Sequence, residues 1–103
     1  EKKDVHGNVH LFDVITLRAG VVIEAHTSRI RCLGFNDAGT MLATASAKGT
    51  VIRVYQTPSG EKMFELRRGL AYNATIFSMA FDSTSTLLCV SSDHPTIHIF
   101  KLE

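Results

Sequence analysis

Two adjacent arginines, Arg67 and Arg68, close an apolar run and stand just before Gly69. A guanidinium is a planar fork of donors that fits a phosphate or a carboxylate with two parallel hydrogen bonds. On an extended strand, successive side chains point to opposite faces, so the pair aims at two different neighbours. Both neighbourhoods offer polar partners. Residues 44–53, TASAKGTVIR, supply Thr44, Ser46, Lys48, Thr50 and Arg53. Residues 90–98, VSSDHPTIH, supply Ser91, Ser92, His94, Thr96 and His98. Hydroxyls and the N–H groups of a tight turn give directed hydrogen bonds to an anion, and a histidine adds a donor that titrates near neutral pH. The pattern therefore describes a phosphate-type pocket written twice, one for each arginine. The plainer alternative is a solvated Arg-Arg pair beside the Ser/Thr-rich turns of an ordinary all-β protein.

Positioning these residues falls to short β-rich runs separated by Gly, Asn, Asp, Ser and Pro, with almost no helical periodicity. The expected strands are Val9–Asp13, Val21–Ala25, Ile30–Phe35, Met41–Ser46, Val51–Gln56, Lys62–Leu66, Ile76–Phe81, Leu87–Ser91 and Ile97–Lys101. The chain also repeats itself. Residues 30–55 align with residues 76–100 at an offset of 46, so that Ile30 meets Ile76, Phe35 meets Phe81, Ser46 meets Ser92 and Thr50 meets Thr96. The first copy carries one extra residue near Ile52, after which Arg53 meets His98 and Tyr55 meets Phe100. A partial third copy, GNVHLFD at 7–13, matches GTVIRVY at 49–55.

A period in the forties with about four short strands per unit is the blade of a β-propeller. The fold class is all-β, with WD-repeat-like blades: residues 1–19 the end of one blade, 20–66 a complete blade and 67–103 most of the next. About two and a half blades do not close a ring that usually needs at least four. The remaining blades, or other chains, are expected to complete it. Phe12, Phe35, Phe64, Phe77, Phe81 and Phe100 are expected between blades as core.

Composition narrows the function classes. The 103 residues are 45% apolar, enough for one small core, and the formal net charge of +1 argues against a nucleic-acid binder. Anion binding has to come from local clustering. Cys32 and Cys89 lie in apolar runs without metal-ligand spacing and are expected as buried thiols of a reducing compartment; no metal or cofactor is expected. No apolar run is long enough to span a membrane, and the polar start EKKDVHGN does not read as a signal peptide. The letters Ser92-Asp93-His94 are those of a catalytic triad, but consecutive turn residues cannot align as nucleophile, base and orienter. The chain is not read as an enzyme.

The run ATASAKGTVIRVYQTPSGEKMFELRRG at 43–69, followed by LCVSSDHPTIHIF at 88–100, resembles the PROPPIN family, phosphoinositide-binding WD-repeat-like propellers of autophagy. Their F/L-R-R-G motif stands here as Leu66-Arg67-Arg68-Gly69, and the resemblance extends from about Gly7 to the C-terminus. It implies a seven-bladed propeller of which this chain is the end of blade four, blade five and most of blade six. It also implies two rim sites for phosphatidylinositol 3-phosphate and 3,5-bisphosphate. The first, by match to the motif, takes His26, Thr44, Ser46, Gly49, Thr50, Arg53 and Arg67, with Lys48 as helper. The second takes Arg68, Gly69, Ser92, Thr96 and His98.

This chain departs from the pattern at Pro95, where the family usually has glycine; proline removes one N–H donor and a flexible φ from that turn. The chain also stops at Glu103, without the long apolar loop of blade six that the family inserts into bilayers. The resemblance implies a cytoplasmic protein, peripheral on phosphatidylinositol 3-phosphate-containing preautophagosomal or endosomal membranes, with autophagy proteins as partners through blades not included here. The alternative is a propeller scaffold that binds peptides or partner proteins on its rim.

Overall fold

The computed structural model describes residues 5–13, 16, 18–68 and 73–103. The β-branched and aromatic runs form nine strands: β1 Asn8–Asp13, β2 Arg18–Glu24, β3 Ile30–Phe35, β4 Met41–Ser46, β5 Val51–Gln56, β6 Lys62–Arg67, β7 Ile76–Phe81, β8 Leu87–Ser92 and β9 His98–Lys101. Val5–Gly7 form one 3-10 turn, and no helix among the described residues is long and apolar enough to cross a membrane. Consecutive strands pair antiparallel in three sheets, β1–β2, β3–β4–β5–β6 and β7–β8–β9, and β3 packs beside β7. These are the stacked, all-strand sheets expected of propeller blades. Sheet membership shifts the boundaries read from sequence: β2 pairs with β1, so residues 20–24 go with the first sheet, and Arg67 ends the last strand of the middle one.

The repeat is visible in the register. In the middle sheet Ile30 faces Ser46 and Phe35 faces Leu42, with a bulge between Ile30 and Cys32. In the last sheet Ile76 faces Ser92 and Phe81 faces Leu88, with a bulge between Ile76 and Ser78. The hairpin turns match too. Gly39 has φ +71°, and Ser85, 46 positions on, has φ +59°. Asn36 Oδ1 accepts from the N–H groups of Thr40 (2.9 Å) and Met41 (3.0 Å); Asp82 Oδ1 accepts from Thr86 (2.8 Å) and Leu87 (2.9 Å).

Two layers of core hold the sheets together, and β4 lies in both. Ala43 and Ala45 on one face join Ile52, Val54, Ile76, Leu88 and Val90 between the middle and last sheets. Leu42 on the other face joins Val9, Ile23, Ala25 and Tyr55 beneath the first sheet. Each buried Val, Leu or Ile contributes about 1.5–3 kcal/mol. The alternation of β4 thus sets which face its polar residues take: Thr44 shares the Leu42 face, toward the first sheet.

Two expectations are corrected. Phe12, Phe35 and Phe77 are 58–59% exposed, while Phe64, Phe81 and Phe100 are half-buried against the core. The exposed three lie on β1, β3 and β7, which are edge strands of their sheets. Likewise Cys32 is half-buried but Cys89 is exposed within this chain, because the buried Leu88 and Val90 on either side send Cys89 to the face of β8 turned away from the middle sheet.

Candidate functional site

The 47–50 turn between β4 and β5 is built by its own polar atoms. Ser46 Oγ accepts from Lys48 N–H (3.3 Å), and Ser46 carbonyl accepts from Gly49 N–H (3.0 Å). Gly49 has φ +66°, and a Cβ there would lie 1.9 Å from the Ala74 carbonyl oxygen. Glycine is therefore required on both counts. The neighbouring segment 25–28 is fixed by Gly7, whose carbonyl accepts from Ala25 N–H (3.2 Å) and His26 N–H (3.1 Å).

Between these segments lies a closed ring of hydrogen bonds. Thr44 Oγ1 donates its one proton to the Arg53 carbonyl at 3.0 Å. In its contact with His26 Nε2, at 2.9 Å, it must then accept, so the imidazole carries its proton on Nε2. That leaves Nδ1 as a lone pair, which accepts from Arg53 Nη1 at 3.3 Å. The same Nη1 donates to the Ala25 carbonyl at 2.7 Å, and the Tyr55 hydroxyl donates to that carbonyl at 3.3 Å. Burial, helped by the Arg53 charge, lowers the His26 pKa to about 4. The imidazole is neutral at physiological pH and serves as an acceptor for Arg53. Burial also pushes the Tyr55 hydroxyl up, keeping it protonated.

Above this ring lies a polar depression of about 190 Å3 lined by His26, Thr27, Ser28, Ser46, Lys48, Thr50, Val51, Arg53 and Arg67. The first predicted set is thus brought together around one depression: His26, Ser46, Lys48, Thr50, Arg53 and Arg67 line it. Thr44 is fully buried beneath and spends its hydroxyl on His26 and Arg53, and Gly49 shapes the turn. Sequence reasoning missed Thr27, Ser28 and Val51. It also missed Glu65, whose carboxylate bonds to Arg53 Nε (3.1 Å), Lys62 Nζ (2.9 Å) and Arg67 Nη2 (3.2 Å). Hydrogen bonds from Lys62 and Arg53 hold that carboxyl at about 2. Period-two alternation signals it, since Glu65 and Arg67 are two apart and so share a face of β6.

The two arginines do point apart. Arg67 has a side chain 69% exposed at the depression. Arg68 is buried; its N–H donates to the Thr50 carbonyl at 3.3 Å and its Nε to the Gly49 carbonyl. In the last sheet, Ser92 Oγ accepts from His94 N–H at 3.2 Å, repeating the Ser46–Lys48 bond. Ser92 and His98 are half-buried, Thr96 and Pro95 are exposed, and His98 packs edge-on against Phe100 with ring centres 6.0 Å apart. Gly69 lies outside the described residues.

At the opposite end of the strands an apolar cavity of about 430 Å3 runs between the first sheet and the middle one, lined by Leu11, Phe12, Phe35 and Pro58 among others. No group of three or more His, Cys, Asp or Glu among the described residues is placed to hold a metal.

Comparison with known proteins follows the same outline. The family model described as PROPPIN matches residues 3–103. Autophagy-related protein 18 of Neosartorya fischeri is 55% identical over 96 residues, covering 93% of this chain and 22% of that protein. Autophagy-related protein 18 of Caenorhabditis elegans is 52% identical over 97 residues, covering 94% and 24%. This chain therefore spans less than a quarter of the length of these curated relatives. Among solved structures, Kluyveromyces lactis Hsv2 superposes with a TM-score of 0.88 at 32% identity, covering 94% of this chain and 31% of that one. A complex of KlAtg21 with the coiled coil of AgAtg16 gives 0.80 at 37% identity, covering 92% and 31%. With a matching family model over nearly its whole length and sheets that superpose on solved blades, the chain belongs to the PROPPIN family.

Proposed function

We propose that this chain is the phosphoinositide-binding part of a non-catalytic membrane-recruitment module acting in autophagy. The observation that carries the reading is the polar depression in which Lys48, Arg53 and Arg67 converge with the hydroxyls of Ser46 and Thr50. Arg53 presents a fork already held by a carbonyl, an imidazole and a carboxylate, so little side-chain entropy is lost when an anion arrives. Lys48 adds a point charge on a flexible stem. Each hydrogen bond from such a cation to a phosphate oxygen is worth about 1.5–3 kcal/mol. Phosphatidylinositol 3-phosphate and 3,5-bisphosphate fit because their ring monoester phosphates present three acceptor oxygens at once.

A second pocket around Arg68, Gly69, Ser92, Thr96 and His98 would bind a second headgroup on the same membrane. Two weak sites on one rim gain avidity because the second binding event is intramolecular. The protein would then be peripheral on membranes that carry these lipids, and other autophagy proteins would be its partners.

The test is a titration of the purified protein with soluble short-chain phosphatidylinositol 3-phosphate, followed by amide NMR. Saturable shifts at residues 26–28, 46–53 and 67, lost in Arg67→Ala, are expected. Shifts that also appear at 92–98 and persist in Arg67→Ala would mark the second pocket. A folded protein whose spectrum does not respond would overturn the reading.

One observation favours a second function beside the first. A similar solved protein binds the coiled coil of AgAtg16, and this chain carries its own apolar cavity at the end of the strands away from the polar depression. A scaffold role would show as protein binding that inositol phosphates do not compete away.

A further inference from the structure

Glu65 is the one acidic side chain bonded to the guanidiniums of the depression among the described residues. It stands opposite Arg53 across the β5–β6 ladder and two residues before Arg67 on the same face. Its two oxygens divide the work: Oε1 takes Arg53 Nε and Lys62 Nζ, and Oε2 takes Arg67 Nη2. The two arginines are held unequally. Arg53 is also tied to the Ala25 carbonyl and His26 Nδ1, and its side chain is 27% exposed. Arg67, 69% exposed, has Glu65 as its partner among the described residues. An anion entering the depression therefore finds Arg53 fixed and Arg67 engaged by a carboxylate.

Displacing that carboxylate is an exchange of anions. A phosphodiester or another carboxylate brings one negative charge, the same as Glu65, and gains no Coulomb energy by replacing it. A phosphate monoester brings about −1.5 to −2 at neutral pH and three strong acceptor oxygens. It gains both charge and hydrogen bonds by the exchange. We propose that Glu65 is a specificity-determining residue: it occupies the outer edges of Arg53 and Arg67 so that a doubly charged phosphate monoester releases Arg67 from it, while a singly charged phosphodiester does not. The assignment rests on the phosphate-pocket reading above and deepens it, by naming what excludes the diester lipids that outnumber the monoester ones on any membrane.

The experiment compares vesicles of phosphatidylcholine doped with phosphatidylinositol 3-phosphate against vesicles doped with phosphatidylinositol, whose only phosphate is a diester. The wild-type protein, Glu65→Gln and Glu65→Asp are each measured on both. Glutamine keeps the shape and removes the charge; aspartate keeps the charge. Glu65→Gln is expected to bind the diester vesicles more tightly, cutting the monoester-to-diester preference roughly 2- to 5-fold, the range of a partly exposed ion pair. Glu65→Asp should keep most of that preference. A Glu65→Gln preference equal to wild type would overturn the assignment, and so would an equal loss in both variants, because shape and not charge would then be responsible. A merely structural role would weaken both vesicle types together and leave the ratio intact, which also counts against the proposal. If the wild-type protein itself does not distinguish the two vesicles, the phosphoinositide reading fails and the role of Glu65 falls with it.

Discussion

Where the middle sheet has Thr44 opposite Arg53, the last sheet has Val90 opposite His98. The two copies share strand register, bulge position, the left-handed turn residue and the serine that caps the rim turn. They differ in what lies under the rim. In the middle copy a threonine hydroxyl, an imidazole and a guanidinium close a buried ring of hydrogen bonds that fixes a permanent cation. In the last copy the corresponding threonine is an apolar valine, and the histidine packs on Phe100. A repeat can thus copy backbone geometry faithfully while one copy holds its rim guanidinium in a buried hydrogen-bond ring and its twin does not.

The largest expected effect lies in the rim turns. Gly49→Ala places a Cβ 1.9 Å from a carbonyl oxygen at a φ of +66°, so the turn must move or the chain must strain. A loss of roughly 3 kcal/mol or more is expected in chemical denaturation, with the phosphate response lost as well. The corresponding Pro95→Gly in the last copy should cost less than about 1 kcal/mol, through the unfolded chain alone. Equal effects would mean either that the 47–50 turn does not require glycine or that the 93–96 turn depends on its proline.

Next comes the paired deletion of Arg53 and its counterpart in the last copy, His98. Arg53→Ala removes a fork with its backing already in place and should weaken short-chain phosphatidylinositol 3-phosphate binding about 10- to 100-fold, the worth of one or two charge-assisted bonds. His98→Ala should cost several-fold less in the same calorimetric titration. A His98→Ala loss as large as that of Arg53→Ala would show that pre-organisation is not what separates the copies.

Thr44→Val converts the middle copy to the last copy's chemistry at one atom. It leaves the buried His26 Nε2–H without its acceptor, at a cost of about 1–3 kcal/mol. The imidazole then loses one of the bonds that hold its ring, and Arg53 loses rigidity with it. Stability should fall by that amount in denaturant, and phosphate binding should weaken by less than in Arg53→Ala.

The contrast between the copies was only partly legible in the sequence. The blades were readable because period-two alternation, punctuated turns and the 46-residue offset are one-dimensional signals. That Ser46, Lys48, Thr50, Arg53 and Arg67 gather at one depression was readable too, because they lie within one hairpin and the strand beside it. The role of Thr44 was not: its hydroxyl looks like any rim hydroxyl until the face of β4 is known, and that face is set by Leu42 packing under the first sheet. Glu65 is legible only as the period-two neighbour of Arg67; that it also stands opposite Arg53 follows from the β5–β6 register. The exposed Phe12, Phe35 and Phe77 were misplaced because an apolar side chain reads as core whether or not a sheet covers it.

Acid sharpens the comparison further. His26 is lowered to about 4 by burial and by Arg53, whereas its ordinary value is 6.5. Between these values the unfolded chain binds a proton that the folded one refuses, so stability rises with pH across this window and is lost as pH falls through it. The loss should be on the order of 2–3 kcal/mol from pH 6.5 to 4 and absent in His26→Gln, as read by denaturation at each pH. The carboxylates act lower: Glu65 and Asp82 are both depressed to about 2, so their contribution is present above the ordinary carboxylate range and fades toward pH 2. A His26→Gln protein that keeps the upper slope would place the titrating group elsewhere.

The smallest effect is expected at the hairpin turns, where Asn36 and Asp82 do the same work with different charge. Both accept from two backbone N–H groups through Oδ1. They differ at the second atom: Asn36 Nδ2 donates to Thr40 Oγ1 and Ser85 Oγ, while Asp82 Oδ2 accepts from the hydroxyls of Thr84 and Thr86. A hydroxyl can turn from donor to acceptor at little cost, as Thr40 already does for Asn36. Asp82→Asn should therefore leave neutral-pH stability nearly unchanged and remove part of the slope below pH 4, where the Thr84 and Thr86 bonds hold the Asp82 carboxyl down. A large loss at neutral pH would mean that the Asp82 charge, and not its hydrogen-bond geometry, holds the last copy's turn, and the two turns would then be equivalent in shape only.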